Sequence, residues 1–237
     1  MDAVSAALPA GLRGITLDLD DTLWPIAPVI EQAEAALHAW LARHAPAVAE
    51  RFDTEALRLL RDDVARDHPD WAHDFTRIRH VSIGIALQRC GHDPLMADAA
   101  FAAFFEARNT LQPYPGVPEA LARLAARWPL LALTNGNADL GRQPYGRHFR
   151  GTVSAREFGI GKPDGRIFQE AARRLGAAPH ELLHVGDDWL LDVQGARAAG
   201  FHTAWIRHAH APSPAEGTQG TWVVASLTEL ADRLLAG

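Results

Sequence analysis

Six short apolar runs, at residues 13–19, 129–134, 151–155, 182–186, 201–206 and 221–225, constrain this chain more than any other feature. Each has the length of a strand, and turn residues bound the first of them, with Gly11 and Gly14 before it and an acidic turn after it. Between most of the others lie helical patterns such as PGVPEALARLAARW and GRIFQEAARRLG. Such β–α alternation predicts an α/β fold, with a doubly wound parallel sheet covered on both faces. The interval 25–112 breaks the alternation. It holds helical periods, among them VIEQAEAALHAWLARH, TEALRLLRDDVARD, FTRIRHVSIGIALQRC and DPLMADAAFAAFFEAR, and almost no strand. Thr54 and Asp93 are the expected helix caps there. Residues 1–24 and 113–237 are therefore expected to form one domain and 25–112 an inserted helical domain, with PYPG at 113–116 as the re-entry turn. The stretch APSPAEGTQG at 211–220 reads as a surface loop.

With 237 residues, the chain can bury a sizeable core. Its net charge of −6 argues against nonspecific nucleic-acid binding, which needs a basic stripe. Cys90 is the single cysteine and cannot form an internal disulfide, which suits a reducing compartment. No run approaches the ~18 apolar residues of a membrane span, and the N-terminus has no signal-like apolar stretch. A cytoplasmic enzyme, monomeric or homodimeric, with neither nucleic acid nor membrane as partner, is the expectation. Twelve histidines include no HExxH, and His208 and His210 flank an alanine beside the loop, so zinc is not expected. Of the seven tryptophans, Trp24 alone is expected to line a cleft, and the others to anchor cores. His184 reads as a packed strand residue.

Four segments carry chemistry. In LDLDDTLWP, Asp18 and Asp20 lie two apart at a strand end, where alternation turns both carboxylates to one side. Unit charges about 4 Å apart repel by about 4 kcal/mol at an effective dielectric near 20, so such a pair calls for a cation or a shared proton. In LTNGN, Thr134, Asn135 and Gly136 offer a hydroxyl, an amide and open backbone N–H groups, the parts of a phosphate cradle. In GKPDGRIF, Lys162 precedes a helix whose start Pro163 is expected to mark. In HVGDDWLLDVQGARAAG, Asp187 ends a strand, while Asp188 and Asp192 lie four apart on one helical face and, with it, suggest a metal site.

These four motifs, DxDxT, TN, KP and GDDxxxD in this order, resemble those of the haloacid dehalogenase superfamily, and the likeness spans essentially the whole chain. It implies a Rossmann-like core, a type 1 helical cap in the insert, and Mg²⁺-dependent phosphatase activity. Asp18 would be the nucleophile, forming an aspartyl phosphate, and Asp20 the general acid and base. Mg²⁺ would be held by Asp18, the Asp20 carbonyl and Asp187, with Asp192 orienting a metal-bound water or Lys162. Thr134, Asn135 and Lys162 would hold the phosphoryl oxygens, Lys162 also offsetting negative charge. Asp188 reads as a helix cap. The haloalkanoate dehalogenases usually lack the second acid, so Asp20 argues against that branch; phosphosugar mutases and phosphoglycolate or sugar-phosphate phosphatases stay open. HDFTRIRH, WPLLALTNGNA and LHVGDDWLLDVQGA are similar to the bacterial flavin-related phosphatases. Their implied substrates are small phosphorylated metabolites, 5-amino-6-(5-phospho-D-ribitylamino)uracil and FMN. In the insert, Asp74 and Arg77 read as a surface helix pair. Arg77, sharing a face with His73 and His80, is a candidate substrate contact.

Overall fold

The computed structural model of the chain describes residues 11–209, 211 and 217–236. The N-terminal stretch read above lies mostly outside the described residues, as do His210 and half of the loop at 211–220. Six strands form one sheet: β1 (Gly14–Leu17), β2 (Leu130–Thr134), β3 (Phe149–Ser154), β4 (Leu182–Gly186), β5 (His202–Ile206) and β6 (Thr221–Val224). Their order is β3-β2-β1-β4-β5-β6, and every neighbouring pair is parallel. β1, β2 and β4 are buried at every residue, as expected of strands covered on both faces, and this is why they read as unbroken apolar runs. The strand order reverses direction between β1 and β4, and the carboxyl ends beside such a switch point are where α/β sheets bind ligands.

The chain divides into two compact units, one formed up to Pro25 and from Gln112 onward, the other spanning Ile26–Leu111. The second is helical, with α1 (Ile26–His44), α2 (Pro46–Arg51), α3 (Thr54–Asp67), α4 (Phe75–Arg89) and α5 (Ala97–Arg108). Leu37, Leu41, Val48, Ile83, Leu87 and Phe104 form its buried core, with the half-buried Cys90 against it. Burying each large apolar side chain contributes about 1.5–3 kcal/mol. Glu34 is buried too and is neutralised by Arg58, whose Nη2 lies 2.6 Å from Oε2, and by Arg61 and Arg79 at 3.5 Å.

In the sheet-bearing unit the helices are α6 (Val117–Ala125), α7 (Ala155–Phe158), α8 (Gly165–Leu175), α9 (Gly195–Ala198) and α10 (Leu227–Ala236). Ile167, Phe168, Ala171, Ala172 and Leu175 recur at helical spacing and bury one face of α8 against Leu131, Leu133, Val153 and Leu182.

Several local expectations are corrected. Asp53, not Thr54, caps α3, because its extended backbone lets its carboxylate accept the Ala56 N–H at 2.8 Å. Asp93 caps a 3₁₀ turn at Pro94–Met96, which leads into α5. Pro163 does not open α8: it follows a cis Lys162–Pro163 peptide, and Asp164 is the cap, accepting Arg166 N–H at 2.9 Å. Asp74 takes the backbone N–H of Arg77 at 2.9 Å as the cap of α4, and His73 lies before that helix rather than on its face. No described helix is long and apolar enough to cross a membrane.

Candidate active site

The carboxyl ends of β1, β2 and β4 bring three of the four motifs together, and the loop before α8 adds the last. Asp18 directly follows β1 and stays in the ladder, its N–H donating to Val185 O at 2.9 Å. Asp187 directly follows β4. Thr134 is the last residue of β2 and is buried; its hydroxyl accepts the Gly136 N–H at 2.9 Å. Lys162 arrives from the loop, held by Asn135 through two backbone bonds: Asn135 Nδ2 donates to Lys162 O at 2.9 Å and Asn135 Oδ1 accepts Lys162 N–H at 2.8 Å. The side chain of Asn135 thus places Lys162.

Lys162 Nζ donates to Asp18 Oδ1 at 2.6 Å and to Asp192 Oδ1 at 2.5 Å, and all three residues are buried. Asp192 reaches inward because it sits in a π-helical turn, Trp189–Gln194. Such wide turns recur at functional sites. Asp188, exposed, caps this turn by accepting the N–H groups of Leu190 and Leu191 at 2.8 and 2.7 Å, while its own N–H donates to Asp192 Oδ2 at 3.0 Å. Gly186 makes room, since a Cβ there would collide with the Asp192 side chain.

Behind this layer lies a second set of contacts. His184 Nε2 donates to Asp192 Oδ1 at 3.0 Å, and the Thr16 hydroxyl donates to His184 Nδ1 at 2.8 Å. A carboxylate only accepts, so the ring is the Nε2–H tautomer. Thr22 Oγ1 donates to Asp187 Oδ1 at 3.2 Å, and Trp205 Nε1 to the Asp187 carbonyl at 2.7 Å. Asp21 sits at φ 55, and its carbonyl accepts from His208 Nε2 at 2.7 Å, so that histidine braces the acidic loop. Trp24 does not line a cleft. It is fully buried, because the turn at Asp21 folds the chain back, and its indole donates to Asp20 Oδ1 at 2.8 Å.

One ammonium touches two of the three acids gathered here. Asp18, Asp187 and Asp192 each offer a carboxylate oxygen, all within 4.8 Å of one another. Burial holds the Asp18 carboxyl well above its ordinary range; Lys162 opposes this and Asp192 adds to it. Burial, then the charges of Asp192 and Asp21, push Asp187 up to about 7. Burial also works against Asp192, yet Lys162 and His184 hold its carboxyl well below the usual range. Burial opposes the Lys162 charge in turn, but Asp18 and Asp192 hold that ammonium firmly protonated. Two acids that resist ionisation, with a third held ionised beside them and hard oxygen donors throughout, fit a divalent cation. The Asp20 side chain is not in this trio. Arg77 belongs to the helical unit, where its exposed guanidinium lies 3.9 Å over the Trp71 ring, which His68 also stacks on at 3.7 Å.

Asp18, Thr134, Lys162, Asp187 and Asp192 are thus gathered where a parallel sheet switches direction. Sequence reading missed the supporting residues Thr16 and Trp205 and the hydrogen-bonding roles of Trp24, His184 and His208. Residues 12–200 match the haloacid dehalogenase-like hydrolases, and the chain belongs to that family. The resemblance drawn from its four motifs is borne out. Among similar proteins, a 5-amino-6-(5-phospho-D-ribitylamino)uracil phosphatase, YigB, of Escherichia coli is 35% identical over 200 residues, covering 83% of this chain and 84% of that protein. A phosphoserine phosphatase of Thermus thermophilus is 34% identical over 204 residues, covering 84% and 76%. The solved structure of a protein described as a 2-haloacid dehalogenase from Pseudomonas syringae pv. Tomato superposes with a TM-score of 0.87 at 34% identity, covering 95% of this chain and 98% of that one. With phosphatases among its relatives in this hydrolase family, the enzyme is a phosphoric monoester hydrolase.

Proposed function

We propose that this enzyme is a Mg²⁺-dependent phosphatase of small phosphorylated metabolites that works through an aspartyl phosphate on Asp18. The observation that carries the reading is the convergence of Asp18, Lys162, Asp187 and Asp192 within one hydrogen-bonded, charge-deficient cluster. Mg²⁺ would be held by Asp18, Asp187 and the Asp20 carbonyl, and when bound it supplies positive charge that favours the ionised Asp18 carboxylate and offsets charge on the transferring phosphoryl group. Asp192 we assign to holding Lys162 rather than to the cation, since its oxygens already accept from Lys162, His184 and the Asp188 N–H.

In this reading Asp18 attacks phosphorus in line with the departing alkoxide. Asp20 protonates that alkoxide, then takes a proton from the water that hydrolyses the aspartyl phosphate. Lys162 and the Thr134 hydroxyl hold phosphoryl oxygens, and Asn135 fixes Lys162 in place. Asp20 also separates the enzyme from haloacid dehalogenation, where no alkoxide needs a proton.

For the substrate, likeness to YigB over most of both chains favours 5-amino-6-(5-phospho-D-ribitylamino)uracil, with FMN next. The helical insert carries selectivity in this proposal, and Arg77 is its candidate substrate contact. Phosphate release should be measured with both compounds beside phosphoserine, glyceraldehyde 3-phosphate, phosphoglycolate and hexose phosphates. Activity should require Mg²⁺, stop with EDTA and vanish in Asp18→Asn, and kcat/KM should be highest for the flavin-pathway ester. Turnover by Asp18→Asn, or full activity in EDTA, would refute the mechanism. A higher kcat/KM for another ester would refute only the substrate, and a rearranged sugar phosphate as product would make the enzyme a mutase.

A further inference from the structure

The two oxygens of the Asp20 carboxyl stand in different surroundings. Oδ1 accepts the indole N–H of Trp24 at 2.8 Å. Oδ2 lies against Gly136, where a Cβ would strike it, and the Thr134 hydroxyl oxygen is 3.3 Å from the same point. One oxygen therefore faces a buried indole, and the other faces the residues of the phosphate cradle.

The loop leaves the indole little freedom. Asp21, at φ 55, reverses the chain, its N–H donates to Trp24 O at 2.8 Å, and Leu23 N–H donates to Leu19 O at 2.8 Å. Trp24 is thereby laid beside Asp20 and is fully buried, with Tyr145 packed 6.3 Å away, centroid to centroid. An indole N–H can only donate, so Oδ1 must accept; a carbonyl oxygen accepts better than a hydroxyl oxygen, which favours Oδ2 as the oxygen that carries a proton on Asp20.

We propose that Trp24 is a positioning residue for proton transfer, its N–H engaging Oδ1 so that Oδ2, beside Gly136, is the oxygen that gives and takes the proton. This rests on the acid and base role assigned to Asp20 above. In the first half-reaction the bond from phosphorus to the ester oxygen breaks as the Asp18–phosphorus bond forms, and the Oδ2 proton moves to the departing oxygen. In the second, water oxygen bonds to phosphorus, the Asp18–phosphorus bond breaks, and one water proton returns to Oδ2. An indole elsewhere, or absent, would let the carboxyl rotate and present either oxygen.

The test compares two esters in Trp24→Phe and in protein carrying 3-benzothienylalanine at position 24, where sulfur replaces the N–H and the volume of the side chain is kept. The esters are β-glycerophosphate, whose alkoxide needs a proton to leave, and p-nitrophenyl phosphate, whose phenolate does not. Because kcat/KM covers steps only through departure of the leaving group, the later hydrolysis does not blur the comparison. General acid catalysis contributes about 10²–10⁴-fold, so loss of its alignment should lower kcat/KM for β-glycerophosphate by about tenfold or more in both proteins, and that for p-nitrophenyl phosphate by less than about threefold. Equal losses on the two esters, or no loss, in the benzothienyl protein would overturn the proposal, since a merely structural role cannot tell leaving groups apart. Asp20→Asn separates the two levels. If it abolishes β-glycerophosphate turnover while the Trp24 proteins do not discriminate, only the Trp24 inference fails; if it leaves that turnover intact, the role of Asp20 fails and this inference with it.

Discussion

Lys162 is, among the described residues, the cation that contacts the buried carboxylates of Asp18 and Asp192 directly, at 2.6 and 2.5 Å. Removing one partner of a buried ionic cluster costs far more than the cluster's net worth, because charges are left without compensation. Lys162→Met, which roughly keeps the volume, should inactivate the enzyme and destabilise it by about 3–5 kcal/mol, measurable by urea unfolding. Were stability unchanged, the ammonium would not be compensating Asp18 and Asp192. His184 acts one step further back. It gives Asp192 a donor, and the Thr16 hydroxyl fixes which nitrogen carries the hydrogen. Losing such an outer contact typically costs ten- to a hundredfold in activity. His184→Leu should accordingly lower kcat about tenfold with little change in KM, while His184→Gln, which keeps a donor near the Nε2 position, should recover most of that loss. Equal kcat values for the two variants would mean that His184 is core filler alone, as its place in an apolar strand first suggests.

At the scale of elements, burial decided what could be read. β1, β2 and β4 stood out because they are buried throughout, and a short unbroken apolar run is the pattern of a strand covered on both faces. The start of β3 lies two residues before the apolar run, because β3 is an edge strand whose Arg150 and Gly151 are exposed, so the pattern fades there. Helix caps failed where neighbours compete: Asp53 and Thr54 are both capable, and only the backbone conformation chooses. The π-turn at Trp189–Gln194 leaves no trace in a helical pattern, yet it is what brings Asp192 inward. The motif acids were legible because strand ends in a parallel sheet share one edge; Trp24 was not, because its direction hangs on the single left-handed residue Asp21. The cap of α8 offers a check by pH. Hydrogen bonds from the Arg166 side chain and backbone hold the Asp164 carboxyl down at about 2, against an ordinary 3.8. A depressed carboxylate stabilises the fold above its unfolded pKa and loses that contribution as pH falls through the folded value. Asp164→Ala should therefore lower Tm at neutral pH, and the gap to wild type should narrow between 3.8 and about 2. A gap independent of pH across that window would show that the ionised carboxylate is not what caps the helix.

At the scale of the whole molecule, every acid of the cluster lies in the sheet-bearing unit, and the helical unit has a separate buried core. A charge-deficient cluster is a cost to the folded state that a cation removes. A ligand that binds only the native state adds about 2.7 kcal/mol at a hundred times its Kd. For a chain of this size that corresponds to a rise of about 5–10 °C in the Tm of the sheet-bearing unit. Mg²⁺ should produce such a rise in differential scanning calorimetry, and EDTA should reverse it. Asp187→Asn sharpens the test because it removes a carboxylate that burial and the charges of Asp192 and Asp21 already disfavour, while keeping an oxygen for the Thr22 hydroxyl. In EDTA at about pH 8, where the wild-type carboxyl is ionised, the variant should melt no lower than wild type, since the destabilising charge is gone. With Mg²⁺ present it should show little of the wild-type rise and little activity. A full Mg²⁺-dependent rise in Asp187→Asn would place the cation elsewhere, and a lower Tm in EDTA would mean that Asp187 stabilises the fold rather than serving the site at the fold's expense.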